Sequence, residues 1–198
     1  MARIKLTKTE LKAQMDALKR FERFLPMLQL KKLQLQSEIA SISQKAEDVA
    51  SREEKFREEI STWAGLLMTA ESYLEGLVDV EKIKTSTANI AGVTIPTFEG
   101  IDAKVKRVDT WSTPAWLDDA SDAILKMLNL KAERIVFEEQ LRLVSVELQL
   151  TSQRVNLFEK VKIPGCKEAI RVIKIALGDE QTAAVTRGKI AKSRVPAT

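Results

Sequence analysis

The sequence predicts an all-α-dominated fold: a long antiparallel two-helix coiled coil with a small β-hairpin or globular middle region. Three observations carry this expectation. Gly (7) and Pro (5) are scarce among 198 residues, too few for a chain built from many turns. Apolar residues recur at alternating steps of three and four over two long stretches, the period of a coiled-coil helix. Between those stretches the period changes to short runs of β-branched residues with turn signals.

The first helix opens with a capping box, Thr7-Lys8-Thr9-Glu10. The Thr7 hydroxyl can accept from the third helical N–H, and Glu10 can reach back to the cap. From there the seam runs Leu11, Gln14, Leu18, Phe21, Leu25, Leu28, Lys32, Leu35, Ile39, Ile42, Ala46, Val49, Glu53, Phe56, Ile60, Trp63, Leu67, Ala70, Leu74 and Leu77. Only Gln14, Lys32 and Glu53 are polar, and the phase never slips. Pro26 removes one backbone donor, which predicts a local bend rather than an end. Lys32 on the seam sets register or snorkels its stem. The first segment is expected over 7–78.

The middle segment, 79–113, loses the heptad. Val80 to Thr87 alternates, and Asn89-Ile90-Ala91-Gly92-Val93-Thr94-Ile95-Pro96 follows. Gly92 reads as a turn or bulge and Pro96 as a strand edge. Ile101 to Val108 adds further extended chain. An isolated hairpin is marginal in water, so this one must pack on the helices or on a partner.

The third segment, 114–194, is helical again. Thr113-Pro114 places a cap before a Pro at the first helical position. The seam continues Trp116, Ala120, Ala123, Met127, Leu130, Arg134, Phe137, Leu141, Val144, Leu148, Thr151, Val155, Phe158, Lys162, Gly165, Ala169, Val172, Ala176, Asp179, Ala183, Thr186 and Ile190. Its quality declines after Phe158, and Pro164-Gly165 predicts a second bend. Leu143, Val146, Leu150 and Leu157 form a flanking apolar stripe, wider than a two-helix seam needs, which suggests a partner that covers it. Two seams joined by a compact middle fold back as an antiparallel pair; matching Leu77 to Trp116 puts Leu11 near Thr182. A parallel dimer of two chains is the alternative that the connector length allows.

Catalytic chemistry is not visible. The chain has no His, one Cys (Cys166), and a net charge of +4 from 32 basic and 28 acidic side chains. Without His there is no imidazole base and no His metal ligand. One Cys allows no internal disulfide and fits a reducing compartment. Gly188-Lys189 fails as a phosphate-binding loop, because Ala183 and Ile190 stand where Gly and Ser or Thr are needed. Acidic pairs such as Glu53-Glu54, Asp118-Asp119 and Glu138-Glu139 read as solvated helix faces. No stretch of about 18 uncharged apolar residues exists to span a membrane, and the opening residues lack the apolar core of a signal peptide. A cytoplasmic chain is expected, one that reaches a membrane only by docking.

The ends are basic. Arg3, Lys5, Lys8, Lys12, Lys19, Arg20 and Arg23 face only Glu10, Asp16 and Glu22, and no acid follows Glu180. If the helices pair antiparallel, both clusters meet at one tip. Such a tip attracts an acidic protein surface or nucleic acid, or simply solubilises the termini. Nucleic acid is disfavoured, since the tip lacks aromatics to stack on bases.

Three motifs in order resemble the D subunit of the V-type (vacuolar/archaeal-type) ATPases and ATP synthases, the rotor shaft of the central stalk. Thr7-Lys8-Thr9-Glu10-Leu11 with Leu30-Lys31-Lys32-Leu33 resembles that family's opening helix. Asn89-Ile90-Ala91-Gly92-Val93-Thr94-Ile95-Pro96 resembles its Asn-x-x-Gly-Val-x-x-Pro signature. Arg154-Val155-Asn156-Leu157 with Ile163-Pro164, then Arg187 and Lys189, resembles its closing helix. Pro26 and the Gly188-Lys189 region depart from the pattern and suggest a divergent branch.

The resemblance implies a chain with no catalytic residues, no cofactor and no metal of its own. It implies torque transmission between ATP hydrolysis or synthesis in a head of A and B subunits and proton or sodium translocation in a membrane ring. The implied partners are the A and B subunits, the small F subunit of the stalk, and a funnel-shaped subunit that links to the ring. On that reading Arg3, Lys5, Lys8, Lys12, Arg187, Lys189, Lys192 and Arg194 contact the head bearing. Ile83, Ile90, Val93, Ile95, Leu143, Val146, Leu150 and Leu157 face stalk partners. It also implies a cytoplasmic place peripheral to the membrane, with no direct insertion. Two rival readings remain at this point: a non-motor coiled-coil scaffold, which predicts a stable homodimer, and a nucleic-acid-binding helical protein, which predicts steep salt dependence.

Overall fold

In the computed structural model the described residues are 5–67, 76–106 and 116–194. Helix α1 covers Lys8–Leu67. Strands β1, Val78–Ile90, and β2, Val93–Val105, form a two-stranded sheet. Helix α2 covers Leu117–Leu157, one π turn follows at Phe158–Lys162, and helix α3 covers Ile163–Arg194. The Thr113-Pro114 cap lies outside the described residues, as do Ala70, Leu74 and Arg3.

The chain divides into two units. One holds 33–149, the other 1–32 with 150–198. In the 33–149 unit, α1 buries Leu35, Ile42, Val49 and Glu53, with Ile39, Ala46, Phe56 and Ile60 half-buried. These are the heptad positions read from the sequence, because a uniform 3.5-residue repeat keeps one stripe on a partner helix. Leu35 and Ile42 share a core with Val144, while Glu53 meets Arg134. Early residues of α1 therefore face late residues of α2, so the pair is antiparallel. The register differs from the sequence-based matching, which sets Glu53 opposite Gln140. The connecting residues need not divide evenly about a turn, so their length fixed no register.

The hairpin explains why. Its strands pair from Ile90 with Val93 out to Val78 with Val105, with irregularities between Val80 and Lys82 and between Lys84 and Thr85. They extend beyond the Val80–Pro96 run that the sequence marks most clearly. Ala91 (φ 50°) and Gly92 (φ 82°) make the two-residue turn, the positive-φ pair that a tight hairpin requires. Asn89 Oδ1 accepts from the Gly92 N–H at 3.0 Å. Ile95, 3% exposed, joins the core of Leu35, Ile42 and Val144, with Ile90, Ala91 and Val93 packed beside it. Gln140 Nε2 donates to the Pro96 carbonyl. Helix α2 is thus covered on two sides, by α1 and by the hairpin. Ala132, which lines a groove with Val80, Ile83 and Ile101 of the strands, and Gln140 are accordingly buried although the heptad count omits them.

In the other unit, the start of α1 lies against the end of α2, the π turn and α3. The Phe21 and Phe158 rings meet at a tilt, 5.0 Å between centroids, and Lys167 pairs with Glu22 at 3.5 Å. Pro26 sits inside an unbroken α1. Thr151, Val155, Cys166, Ala169 and Ile173 are the buried residues on the opposing side.

Candidate interaction surfaces

The amino-proximal basic residues are set by the helix cap. Thr7 Oγ1 accepts from the Glu10 N–H at 3.2 Å, as the capping box predicts. Glu10 itself turns the other way, accepting from Gln14 Nε2 at 2.8 Å. Lys5, Lys8 and Lys12 are all exposed around this cap. At the other end of the chain, Ala176 and Leu177 are the last half-buried residues. Every residue from Gly178 to Arg194 is exposed, Val185 and Ile190 among them. Arg187, Lys189, Lys192 and Arg194 therefore stand on a stretch of α3 that the rest of its unit does not cover. The seam matching sets Leu11 opposite Thr182, but Leu11 is half-buried while Thr182 is bare. The Thr182 and Thr186 hydroxyls bond back to the carbonyls of Gly178 and Thr182, at 3.0 and 2.9 Å. Both exposed, these hydroxyls satisfy themselves on their own helix.

The eight apolar residues expected to face stalk partners divide in two. Ile95 is buried in the chain's own core, and Ile90, Val93 and Leu143 are packed against that core. Of the flanking stripe, Leu143 packs against the chain's own core, while Val146, Leu150 and Leu157 stay uncovered. Ile95 has no side-chain surface left to offer. Ile83 is half-buried and lines an open groove of about 240 Å³ with Val80, Ile101, Leu128, Lys131 and Ile135. Val146 in one unit, and Leu150 and Leu157 in the other, remain exposed apolar side chains.

Charge is handled in pairs. Across the strands Lys84 pairs with Asp102, and Lys104 with Glu81. On the helices, the Arg142 guanidinium hydrogen-bonded to Glu139 lowers that carboxyl below its ordinary value, and Glu139 raises Arg142 in turn. Glu168 and Arg171 repeat the arrangement. On the seam itself Glu53 pairs with Arg134, Oε2 to Nη1 at 3.1 Å, with Arg52–Glu133 at 3.4 Å beside it. Glu53 and Arg134 each stand on the heptad count of their own helix, and their meeting marks the register that the helices adopt. No three or more Cys, Asp or Glu among the described residues group as a metal site, and no described helix is long and apolar enough to cross a membrane.

The family model described as the ATP synthase D subunit matches residues 10–193. The chain belongs to the ATP synthase D-subunit family. It is 44% identical over 193 residues to the V-type ATP synthase D subunit of Borreliella burgdorferi, covering 98% of this chain and 95% of that one. The V-type ATP synthase D subunits of Chlamydia abortus and Chlamydia caviae are 30% and 31% identical over 197 residues, covering 98% of this chain and 94% of theirs. The D subunit is a stalk component of a rotary ATPase and not a catalytic one. Family membership makes this chain part of a peripheral ATPase complex, and it accounts for surfaces rich in charge and apolar patches rather than in nucleophiles.

Proposed function

We propose that this chain is the central rotor shaft of a V-type rotary ATPase. It transmits torque between ATP hydrolysis or synthesis in a head of A and B subunits and translocation of protons or sodium ions in a membrane ring. The observation that carries the reading is a D-subunit-family chain whose α3 ends in an uncovered basic helix. That end, with Lys5, Lys8 and Lys12 (and Arg3 before them), is the bearing contact inside the head. An exposed helix with four cations and two apolar side chains has attraction for an acidic socket and enough grip to sit in it. Ile83 in its groove, with Val146, Leu150 and Leu157, contacts the small F subunit and the funnel-shaped subunit that joins the ring. The segments 7–78, 79–113 and 114–194 then serve as first shaft helix, partner-facing hairpin region and second shaft helix, at the cytoplasmic face of the membrane.

Torque requires stiffness. Helices held by an unbroken backbone ladder and a packed seam resist twisting better than a loop-rich chain. Two unlike helices also make the shaft asymmetric, so successive A/B interfaces meet different faces. The test is charge reversal, Lys189→Glu with Lys192→Glu, in the reconstituted complex. The expected result is a loss of coupled ATPase activity with assembly of the F subunit retained. Activity equal to wild type removes the bearing assignment.

A further inference from the structure

We propose that the π turn at Phe158–Lys162 is a one-residue skip in the coiled-coil repeat. It selects the face that α3 presents to α1 and thereby the direction in which Arg187, Lys189, Lys192 and Arg194 point. The last step rests on the bearing reading above; the skip itself does not.

The burial pattern shows the phase change. Thr151, Val155 and Phe158 follow the three-four count. Continued without interruption, that count reaches Lys162, Gly165, Ala169 and Val172. Yet Lys162 and Gly165 are exposed and Val172 is 37% exposed, whereas Cys166 is 8% and Ile173 0% exposed. Ile163 and Ile170 are half-buried and Ala169 is buried. The seam has moved on by one residue between Phe158 and Cys166. The backbone shows where: the Ile163 N–H donates to the Phe158 carbonyl, five residues back instead of four. One residue too many is absorbed in that turn. At 3.6 residues per turn, it shifts the downstream seam by about 100° around the helix.

Two features of the sequence place the skip here. Pro164 has no N–H for the Lys160 carbonyl, and in a regular helix its ring would press on that carbonyl. The side chains downstream also favour the shifted phase. It buries Cys166 and Ile173 and half-buries Ile163, where the unshifted phase would bury Lys162, Gly165 and Val172, a clear gain in apolar area removed from water. Beyond Gly178, α3 is covered by none of the described residues that could steer it. Its facing is inherited from the last packed turns at Ile173–Leu177. The same sequence wound as one unbroken α-helix would turn the basic end by about 100°.

The test uses the full-length chain and its one thiol, Cys166. Deleting the exposed Lys160 together with Pro164→Ala removes both the extra residue and the ring that a regular helix would not admit, so a regular helix then carries Cys166, Ala169 and Ile173 to the seam unaided. Inserting an Ala after Lys160 adds a second extra residue that the turn cannot absorb. With Ellman's reagent, the deletion variant is expected to react within about twofold of wild type, and the insertion variant roughly tenfold or more faster, since reaction requires the thiol to open to solvent. A deletion variant that reacts as fast as the insertion variant, or fails to fold, overturns the skip. A third variant, with Ala inserted after Asp179, turns only the uncovered end. It is expected to keep Cys166 protected and to lower coupled ATPase in the assembled complex. Full coupling with Cys166 protected overturns the pointing of the basic end while the thiol result on the deletion stands.

Discussion

Removing Arg134 while leaving Glu53 in place tests how the seam tolerates a charge. Glu53 is a heptad position whose side chain is only 4% exposed, and Arg134 reaches it from α2 at 3.1 Å with its own side chain 43% exposed. Arg57, one turn along α1, stands 3.5 Å from the other carboxylate oxygen. Neither Glu53 Oε2 nor Arg134 Nε has a well-aligned hydrogen bond, so the contact is an ion pair with little directional support. In Arg134→Met the carboxylate stays buried with one remaining cation. Breaking a fully buried pair costs about 3–5 kcal/mol; half-exposure of Arg134 and the retained Arg57 bring the expected loss to about 2–3 kcal/mol. For a chain of this size that lowers the melting midpoint by roughly 5–10 °C, readable by circular dichroism. Glu53→Leu acts in the opposite sense. It places an apolar residue on an apolar seam, and the half-exposed Arg134 can turn to Glu138, 3.4 Å away, or to water. That variant is expected within about 1 kcal/mol of wild type or more stable. A larger loss in Glu53→Leu than in Arg134→Met would refute the argument, because it would mean that the pair attracts more than burial of the carboxylate costs.

Two further substitutions probe single positions. Thr151 is fully buried and its hydroxyl finds no partner; Thr151→Val keeps the shape and removes the orphaned group, and should raise unfolding stability by about 1 kcal/mol in urea titrations. Gly92 sits at φ 82° in the hairpin turn; Gly92→Ala should cost about 1 kcal/mol, with the loss visible as faster amide exchange in β1 and β2 relative to α1.

Legibility in the sequence tracks how many partners an element has. Helix α1 faces its partner along one stripe, so Leu18, Phe21, Leu25, Leu28, Leu35, Ile42, Val49 and Phe56 can be placed from periodicity alone. The hairpin turn is legible because Asn89 and Gly92 have a local conformational reason to be there. Helix α2 serves two neighbours, and periodicity cannot separate them: of the surplus apolar width, Leu143 packs against the core that holds Ile95, while Val146, Leu150 and Leu157 stay exposed. The register between helices is marked by Glu53 and Arg134, each visible as a polar residue on its own seam but informative only as a pair. The basic termini are legible as charge. That α3 continues bare from Gly178 onward is not, since helix propensity continues whether or not a neighbour is present.

The fading of the repeat after Phe158 is a phase effect. A weakening pattern invites the reading that packing has ended. Counted one residue later, the pattern improves: Ile163, Cys166 and Ile173 take the places that Lys162, Gly165 and Val172 fill poorly, with Ala169 buried and Ile170 half-buried between them. The sequence therefore carries the skip, and the Pro at 164 marks where the backbone yields to it. A repeat that improves when its phase is advanced by one is evidence for an inserted residue rather than for a loose end, and the π turn is the backbone's means of absorbing it.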